Sequence, residues 1–218
     1  MATPPLTDRP MRADARRNRG RVLDAALHCF ATDGLEAQMD DIASRARVGV
    51  GTVYRHFPTK DALIEAIADD YFAHQAEAAR AALDVEDPWE AFSGYVRRAS
   101  DILGEYRALT QVLSDRPEMM GAAAVRAAES LGFFDTLTTL IDRAKESGGL
   151  RRDFRLEDIP LIMCSLGSLQ TSRGEYASWC RMRAIVLDGL RAPGFEPLPD
   201  EPVPALRGRL SGKRRAGG

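Results

Sequence analysis

The sequence predicts an all-α protein of about nine helices, and three observations support this fold class. Runs that alternate apolar and polar residues, as half-buried strands do, are absent from the 218 residues. Ala, Leu, Arg and Glu, which favour helices, are abundant along the chain. Apolar residues recur every three or four positions in successive segments, which is typical of helices that bury one face.

The N-terminal part of the chain predicts a loose arm followed by four helices. The arm, residues 1–11, contains three prolines and shows no periodicity. The predicted helices span about residues 14–32, 39–46, 51–57 and 60–82. Gly34 ends the first as a left-handed residue, and Pro58 ends the third because the residue before proline avoids helical ψ.

The C-terminal part predicts a larger helical body. Asp87 and Pro88 have the residue types of a helix N-cap and first helical residue. Proline at 117 and the Gly148-Gly149 pair delimit one long helix, over about residues 118–147. Two more helices follow, over about residues 156–171 and 175–191, and the first is apolar nearly all round, so it must be covered on more than one side.

Composition narrows the function classes. The net charge of −2 hides an asymmetry, because residues 1–60 carry ten Lys or Arg against seven Asp or Glu. A basic N-terminal end favours a polyanionic partner.

With no apolar stretch of about 20 residues and no signal-peptide pattern, we expect a cytoplasmic protein without membrane contact. The three histidines and three cysteines lack metal-ligand spacing, so no metal site and no cofactor are expected, and Cys164 and Cys180 are expected to be small buried residues.

The segment from Gln38 to Leu63 is the informative one, and it reads QMDDIASRARVGVGTVYRHFPTKDAL. Apolar residues predict the inner face of a short helix, a turn at residues 47–50, and a second short helix. The first inner face is formed by Ile42, Ala43 and Ala46, and the second by Val48, Val53, Tyr54 and Phe57. This is the pattern of a helix-turn-helix, whose second helix enters the DNA major groove.

These residues strongly resemble the DNA-binding domain of the tetracycline-repressor-like (TetR) family of bacterial regulators. The matching positions are Ile42, Ala43, Ala46, Val48, Gly51, Thr52, Tyr54, Phe57, Lys60 and Leu63. The resemblance covers about residues 14–64 and implies a DNA-binding domain over residues 12–59. It further implies a ligand-binding and dimerisation domain over residues 60–191. Residues 192–218 are rich in Pro and Gly, and this composition predicts a disordered tail.

The resemblance also implies roles for individual residues. Gly51 and Thr52 are expected near bases or phosphate, Tyr54 and His56 at phosphate or thymine methyls, and Arg55 at a guanine. Lys60 and Gln38 are expected at phosphates. Five arginines form a basic arm expected to reach the adjacent backbone or minor groove: Arg9, Arg12, Arg16, Arg17 and Arg19.

This chain departs from the family pattern at two positions of the turn. The family often has Gly where this chain has Arg47, which is therefore expected to adopt a left-handed backbone at a cost of ~1–2 kcal/mol. Gly49 replaces Ser or Thr and is a weaker N-cap by a few tenths of a kcal/mol.

The C-terminal residues supply candidates for a ligand pocket and a dimer interface. The pocket candidates are apolar or aromatic residues with polar neighbours, namely Trp89, Phe92, Tyr95, Arg98, Phe133, Phe134, Met163 and Gln170. The last two predicted helices are expected to pair with their two-fold mates in a four-helix interface, because their apolar faces need a partner. Its expected members are Leu161, Ser165, Leu169, Met182, Val186 and Leu190.

The sequence thus predicts a ligand-responsive repressor that is not an enzyme. It would bind a palindromic double-stranded DNA operator as a homodimer and be released by a small-molecule effector that shifts the population of dimer states. One alternative is a helical enzyme or adaptor without DNA binding, although paired carboxylates, a nucleophile elbow and a phosphate loop are missing. A second alternative is an activator or a ligand-independent regulator of the same family.

Overall fold

The computed structural model describes residues 8–112, 117–168, 176–193 and 196–199, and these residues form ten α-helices and a 3-10 helix at Gly34–Glu36. The helices are α1 (Asp8–Asp33), α2 (Met39–Ala46), α3 (Val50–His56), α4 (Lys60–Leu83), α5 (Pro88–Glu105), α6 (Arg107–Val112), α7 (Pro117–Leu131), α8 (Phe133–Glu146), α9 (Asp158–Ser168) and α10 (Tyr176–Leu190). The predicted all-α class is confirmed. Across the described ranges, the only β-type pairing is one isolated antiparallel bridge between Leu150 and Arg191.

The helices differ from the sequence prediction at three places, one of which is the short α6 that the sequence did not predict as a separate helix. α1 begins at Asp8, six residues before the predicted start, so residues 8–11 of the expected arm are helical and the five arginines expected on the arm lie in a helix. The long helix predicted over residues 118–147 is two helices, because Gly132 adopts a φ of 61° and separates α7 from α8. Residues 1–7, 169–175 and 200–218 lie outside the described residues, and so do most of the tail predicted to be disordered and Leu169 of the expected interface.

The described chain divides into two compact units, one of residues 1–70 and 108–120, the other of residues 71–107 and 121–218. In the first unit, α1 packs on α2 and α2 packs on α3. Its core is apolar and closely packed: Val22, Ala26, Ile42, Val53, Leu63, Ile64 and Ile67 are fully buried. Ala43 is 1% exposed, as expected for a small residue where two helices approach closely.

In the second unit, α5 packs against α8 and α9, and α9 packs against α10. The Asp87 carboxylate accepts a hydrogen bond from the Glu90 amide at 2.8 Å, which confirms the predicted N-cap before Pro88. The predicted inner faces of α5 and α8 are buried, and Phe92 meets Phe154 edge to face at 5.4 Å between ring centroids. Arg143 of α8 donates to the Leu83 and Val85 carbonyls at 2.9 and 3.0 Å, and so caps the end of α4.

Helices α9 and α10 each leave apolar side chains uncovered. Leu161, Met182 and Ile185 are 37%, 39% and 56% exposed, while Met163, Leu166, Trp179 and Leu187 are buried within the chain. Of the residues expected at an interface, Leu190 is instead buried against its own chain.

The prediction that both cysteines are buried is wrong, since Cys164 is exposed and Cys180 is half-buried.

The segment after α8 is tied to the segment after α10. The Arg151 guanidinium binds the Asp153 carboxylate with Nε and Nη2, at 2.6 and 2.9 Å, and also donates to the Gly189 and Glu196 carbonyls. Asp153 in turn accepts from the Leu198 amide at 2.8 Å. Next to this pair, the backbone of Gly149 runs so close to Trp89 that a Cβ at position 149 would lie 2.9 Å from the Trp89 Cβ.

Asp153→Asn is expected to lower the free energy of unfolding at neutral pH by about 1 kcal/mol, because charge-assisted hydrogen bonds are lost at a partly exposed site. Arg151 and the Leu198 amide hold the pKa of Asp153 well below that of a free aspartate. The stabilising effect is therefore complete above the unfolded-state pKa, near 4, and disappears as the pH falls through the lower native pKa. Denaturant unfolding of both proteins at pH 7 and pH 3 should show a smaller difference at pH 3, and an unchanged difference would contradict this account.

Candidate nucleic-acid interface and ligand cavity

The turn between α2 and α3 has the backbone that the sequence predicted. Arg47 has φ 54° and ψ 46°, in the left-handed region, and its amide donates to the Ser44 carbonyl at 3.1 Å. Gly49 is the extended N-cap of α3. The Arg21 side chain of α1 donates to the Arg47 carbonyl at 3.2 Å, which ties the turn to the first helix.

Helix α3 presents one buried face and one exposed face. Val53 and Phe57 are 0% and 3% exposed and hold the helix on the core of the first unit. Tyr54 was predicted on this inner face, but it is 45% exposed, because it follows Val53 by one residue and points about 100° away around the helix.

Five of the residues predicted to contact DNA lie on α3, and four of them are on its exposed face. Gly51, Tyr54, Arg55 and His56 are exposed and Thr52 is half-buried. Arg55 makes no hydrogen bond or ion pair with any residue that the structure describes. A guanidinium in this position has all its donors available to an external acceptor.

Two predicted phosphate contacts lie beside the 3-10 helix. The Lys60 ammonium donates to the Leu35 carbonyl at 2.7 Å and is half-buried. The Gln38 amide donates to the Glu36 carbonyl at 2.6 Å, and Gln38 is the exposed N-cap of α2. An ammonium has three donors, so the bond to Leu35 leaves Lys60 able to bind a further acceptor.

The basic residues of α1 have varied partners. Arg17 pairs with Asp14 one turn earlier, and both side chains are mostly exposed. The Arg19 guanidinium lies 5.7 Å from the centroid of the Phe57 ring. Arg16 belongs to the same helix, and its side chain is outside the described set.

Two of the predicted ligand residues, Tyr95 and Arg98, line a cavity of about 510 Å³ between α4 and α5. Its walls also include His74, Glu77 and Glu90 and several alanines. Arg98 pairs with Glu105 at 3.1 Å, and His74 shares a hydrogen bond with the Tyr106 hydroxyl at 3.1 Å. The cavity therefore combines small apolar walls with charged groups at its edge.

The other predicted ligand residues do not meet at this cavity. Phe92, Phe133 and Met163 are buried, Phe134 is half-buried, and Trp89 lines a different cavity against α10. Phe133 packs on Phe72 at 6.0 Å between ring centroids, as a core residue does. Gln170 lies outside the described residues.

Sequence reasoning missed a buried polar group on α4, next in sequence to His74 of the cavity wall. Gln75 is 1% exposed and donates to the Ala99 carbonyl at 3.1 Å, while its side-chain oxygen accepts no hydrogen bond from the described part of the chain. Burial raises the pKa of Tyr71 to about 12, against a smaller lowering by the Gln75 amide, and burial also raises the pKa of Tyr95. Gln75 continues the apolar stripe of Leu63, Ile67 and Tyr71 at spacing four, and that signal was available in the sequence.

The described ranges contain neither a cluster of metal-binding side chains nor a helix that could span a membrane. No three His, Cys, Asp or Glu side chains lie close enough to hold a metal ion. In the same residues, every helix is too short or too polar to cross a bilayer.

Comparison with known proteins places this geometry in context. Residues 22–67 match the family model described as bacterial regulatory proteins, tetR family, and residues 87–192 match a C-terminal domain described as transcriptional regulator SbtR-like. The HTH-type transcriptional repressor KstR of Mycolicibacterium smegmatis is 30% identical over 146 residues, which cover 66% of this chain and 71% of the relative. The HTH-type transcriptional repressor Rv3405c of Mycobacterium tuberculosis is 42% identical over 71 residues, or 32% of this chain and 38% of the relative.

Solved structures with a similar fold include regulators of the same family. The crystal structure of a TetR transcription regulatory protein from Mycobacterium vanbaalenii has a TM-score of 0.62 and 37% identity, and the match covers 84% of this chain and 99% of that one. The TetR transcriptional regulator SCO0520 of Streptomyces coelicolor has a TM-score of 0.61 and 31% identity, with 79% and 98% covered.

Arg47→Gly is expected to raise the free energy of unfolding by about 1 kcal/mol, because glycine adopts the left-handed backbone without the steric cost of a Cβ. Arg47→Ala keeps the Cβ and should give no such gain, which makes it the matched control for loss of the exposed arginine side chain. Thermal unfolding of the three proteins would measure the difference. Equal midpoints for the glycine and alanine variants would show that the turn carries no such strain.

Proposed function

The chain belongs to the tetR family of bacterial regulatory proteins and is a transcriptional regulator, and from that premise we propose that it is a ligand-responsive repressor. In this proposal it binds a palindromic operator as a homodimer and is released by a small-molecule effector. The observation that carries the proposal is the exposed face of α3, where Arg55 makes no hydrogen bond or ion pair with the described part of the chain.

We assign DNA recognition to residues 12–59. The seven-residue α3 enters the major groove, with Arg55 donating to a guanine and Tyr54 and His56 at phosphate or thymine methyls. Gly51, where a Cβ would meet open space, lets the duplex backbone approach the start of the helix. The remaining DNA contacts are expected from phosphates and involve Gln38, Thr52, Lys60, Arg16 and Arg17.

The uncovered apolar residues of α9 and α10 support the homodimer. Exposed aliphatic side chains grouped on two neighbouring helices favour association with a second copy. A two-fold axis would bring the same helices of both chains together, so that Leu161, Met182 and Ile185 become buried. Val186 is half-buried and Ser165 is exposed, and both remain candidates for this interface.

The effector site is proposed in the part of the chain that spans residues 60–191. The cavity beside Tyr95 and Arg98 has the volume of a small-molecule site, and its walls carry polar groups of His74, Glu77 and Arg98 that can orient a ligand. An effector that releases the operator must bind the free dimer better than the DNA-bound dimer, typically by 1–3 kcal/mol or more.

Arg55→Ala is expected to reduce discrimination at one base pair of the operator by about 1–3 kcal/mol, because a bidentate contact to guanine is lost. Fluorescence anisotropy with DNA from the promoter region of its own gene, and with single-base variants of that DNA, measures this change. Arg152→Ala removes the same charge from an exposed position of the second unit and should leave DNA binding unchanged. If Arg55→Ala kept both affinity and sequence preference, Arg55 would not read a base.

Lys60→Ala is expected to weaken binding to operator and unrelated DNA by similar factors and to lower the salt dependence by about one counterion. The variant also loses the bond to the Leu35 carbonyl, so circular dichroism must first show that its helix content matches that of the parent. A loss confined to the operator sequence would argue that Lys60 acts on specificity and not at a phosphate.

Ile185→Asp is expected to convert the dimer into monomers at micromolar concentration, because a carboxylate would be buried without a partner. Sedimentation velocity measures the state directly. Val125→Asp is the control, since Val125 is an exposed valine of α7 at 40% and is outside the proposed interface. Dimers in both variants, or monomers in the parent, would overturn the proposed interface.

A further inference from the structure

A second cavity of about 300 Å³ lies between α5 and α10 in the second unit, and arginines dominate its walls. Its lining residues are Trp89, Arg97, Cys180, Arg183, Ala184, Leu187, Asp188 and Arg191. Three guanidinium groups therefore face one space that contains a single acidic lining residue. The cavity differs from the one beside Tyr95 and Arg98, with which it has no lining residue in common.

The helical repeat of α10 explains why these residues meet. Positions 180, 183, 184, 187, 188 and 191 are separated by three or four residues and so share one face. Met182 and Ile185 lie on other faces and are exposed. The arginine face of α10 is thus separate from the apolar face proposed for the dimer, and both faces remain available at once.

Arg183 is held in place by neighbours from α5. Its Nη1 donates to Asp101 at 2.7 Å, to the Arg97 carbonyl at 3.2 Å and to the Ser100 hydroxyl at 3.3 Å. Its guanidinium also lies over the Trp179 ring, 4.3 Å from the centroid. These contacts use one nitrogen and one flat face, so Nη2 and Nε keep their donors for another acceptor.

Arg191 and Arg97 are less neutralised than Arg183. The Arg191 guanidinium stacks on the Trp89 ring at 4.7 Å and has no carboxylate partner among the described residues. Arg97 donates to the Ser93 hydroxyl at 3.2 Å and reaches Glu90 at 3.5 Å, with both side chains about half exposed. An exposed pair at this distance contributes little. Asp188, Asp101 and Glu90 together match the three guanidiniums in charge, so the cavity is distinguished by guanidinium donors that no described residue uses and not by an excess of positive charge.

We propose that this cavity binds an oxyanion, the phosphate or carboxylate group of a small molecule, with Arg183, Arg191 and Arg97 as donors. Stacking on Trp89 and Trp179 holds two of the guanidiniums flat and reduces the entropy lost when they bind an anion. Planar forks of N–H groups match the oxygens of phosphate and carboxylate. This site uses no residue of α3 and shares no lining residue with the proposed effector cavity, although Glu90 of that cavity pairs with Arg97.

Calorimetric titration of the full-length protein with inorganic pyrophosphate, at constant ionic strength, tests the proposal. The parent should show saturable binding, and Arg191→Gln should weaken it by about tenfold, because a charge-assisted hydrogen bond is removed. Asp188→Asn removes the acidic lining residue and should tighten binding by a few-fold, on the order expected for one nearby charge in partly exposed surroundings.

Arg181→Gln is the matched control, since it removes the same charge from the same helix at an exposed residue that does not line the cavity. Its affinity for pyrophosphate should equal that of the parent. If Arg181→Gln and Arg191→Gln lowered the affinity equally, the overall charge of the protein would explain the loss, and the site would be overturned. The absence of saturable binding would also overturn the site. So would binding that is abolished by Arg55→Ala and Lys60→Ala but retained by Arg191→Gln. That second result would assign anion binding to the proposed DNA-contacting surface.

Discussion

The burial of Val53 and Phe57 is the constraint on which the proposed nucleic-acid interface depends. Helix α3 has only seven residues, and an isolated helix shorter than about 12–15 residues is marginal in water. Its existence and its rotation about its own axis are therefore set by the two side chains that fix it to the core of the first unit. The left-handed Arg47, tied to α1 by Arg21, sets the direction in which the chain enters this helix.

The second unit has to satisfy a different constraint, because α10 is used on more than one side. Trp179 and Leu187 bury it against its own chain, Met182 and Ile185 remain exposed, and Arg183 and Arg191 border a polar cavity. Because its sides differ in this way, α10 can contact a second copy of the chain on one side and a ligand on another with the same backbone. In our two proposals, the α10 residues that would hold two chains together and those that would bind an anion are close in sequence but lie on different faces of the helix.

The sequence predicted what depends on local spacing and failed where distant segments decide. Helices α2 and α3 were placed within one residue, because the apolar period, the left-handed Arg47 and the Gly49 cap are all encoded within a few positions. The break at Gly132 was missed, since a single glycine inside a helical pattern is usually tolerated. Periodicity also identified α9 as apolar nearly all round, but it could not say that Cys164 would be left outside. For the candidate ligand residues, burial does not distinguish a core aromatic from a cavity wall, and Phe92 and Phe133 became core through rings contributed by other segments.

Gly149 follows α8 and lies so close to Trp89 of α5 that it limits where the Trp89 side chain can lie. Any larger residue at 149 would place its first side-chain carbon 2.9 Å from the Trp89 Cβ, and one of the two segments would have to retreat. Because Arg191 rests on that indole, the displacement would carry through to the guanidinium. A loop position that contributes no side chain of its own therefore helps to fix where the Arg191 guanidinium lies.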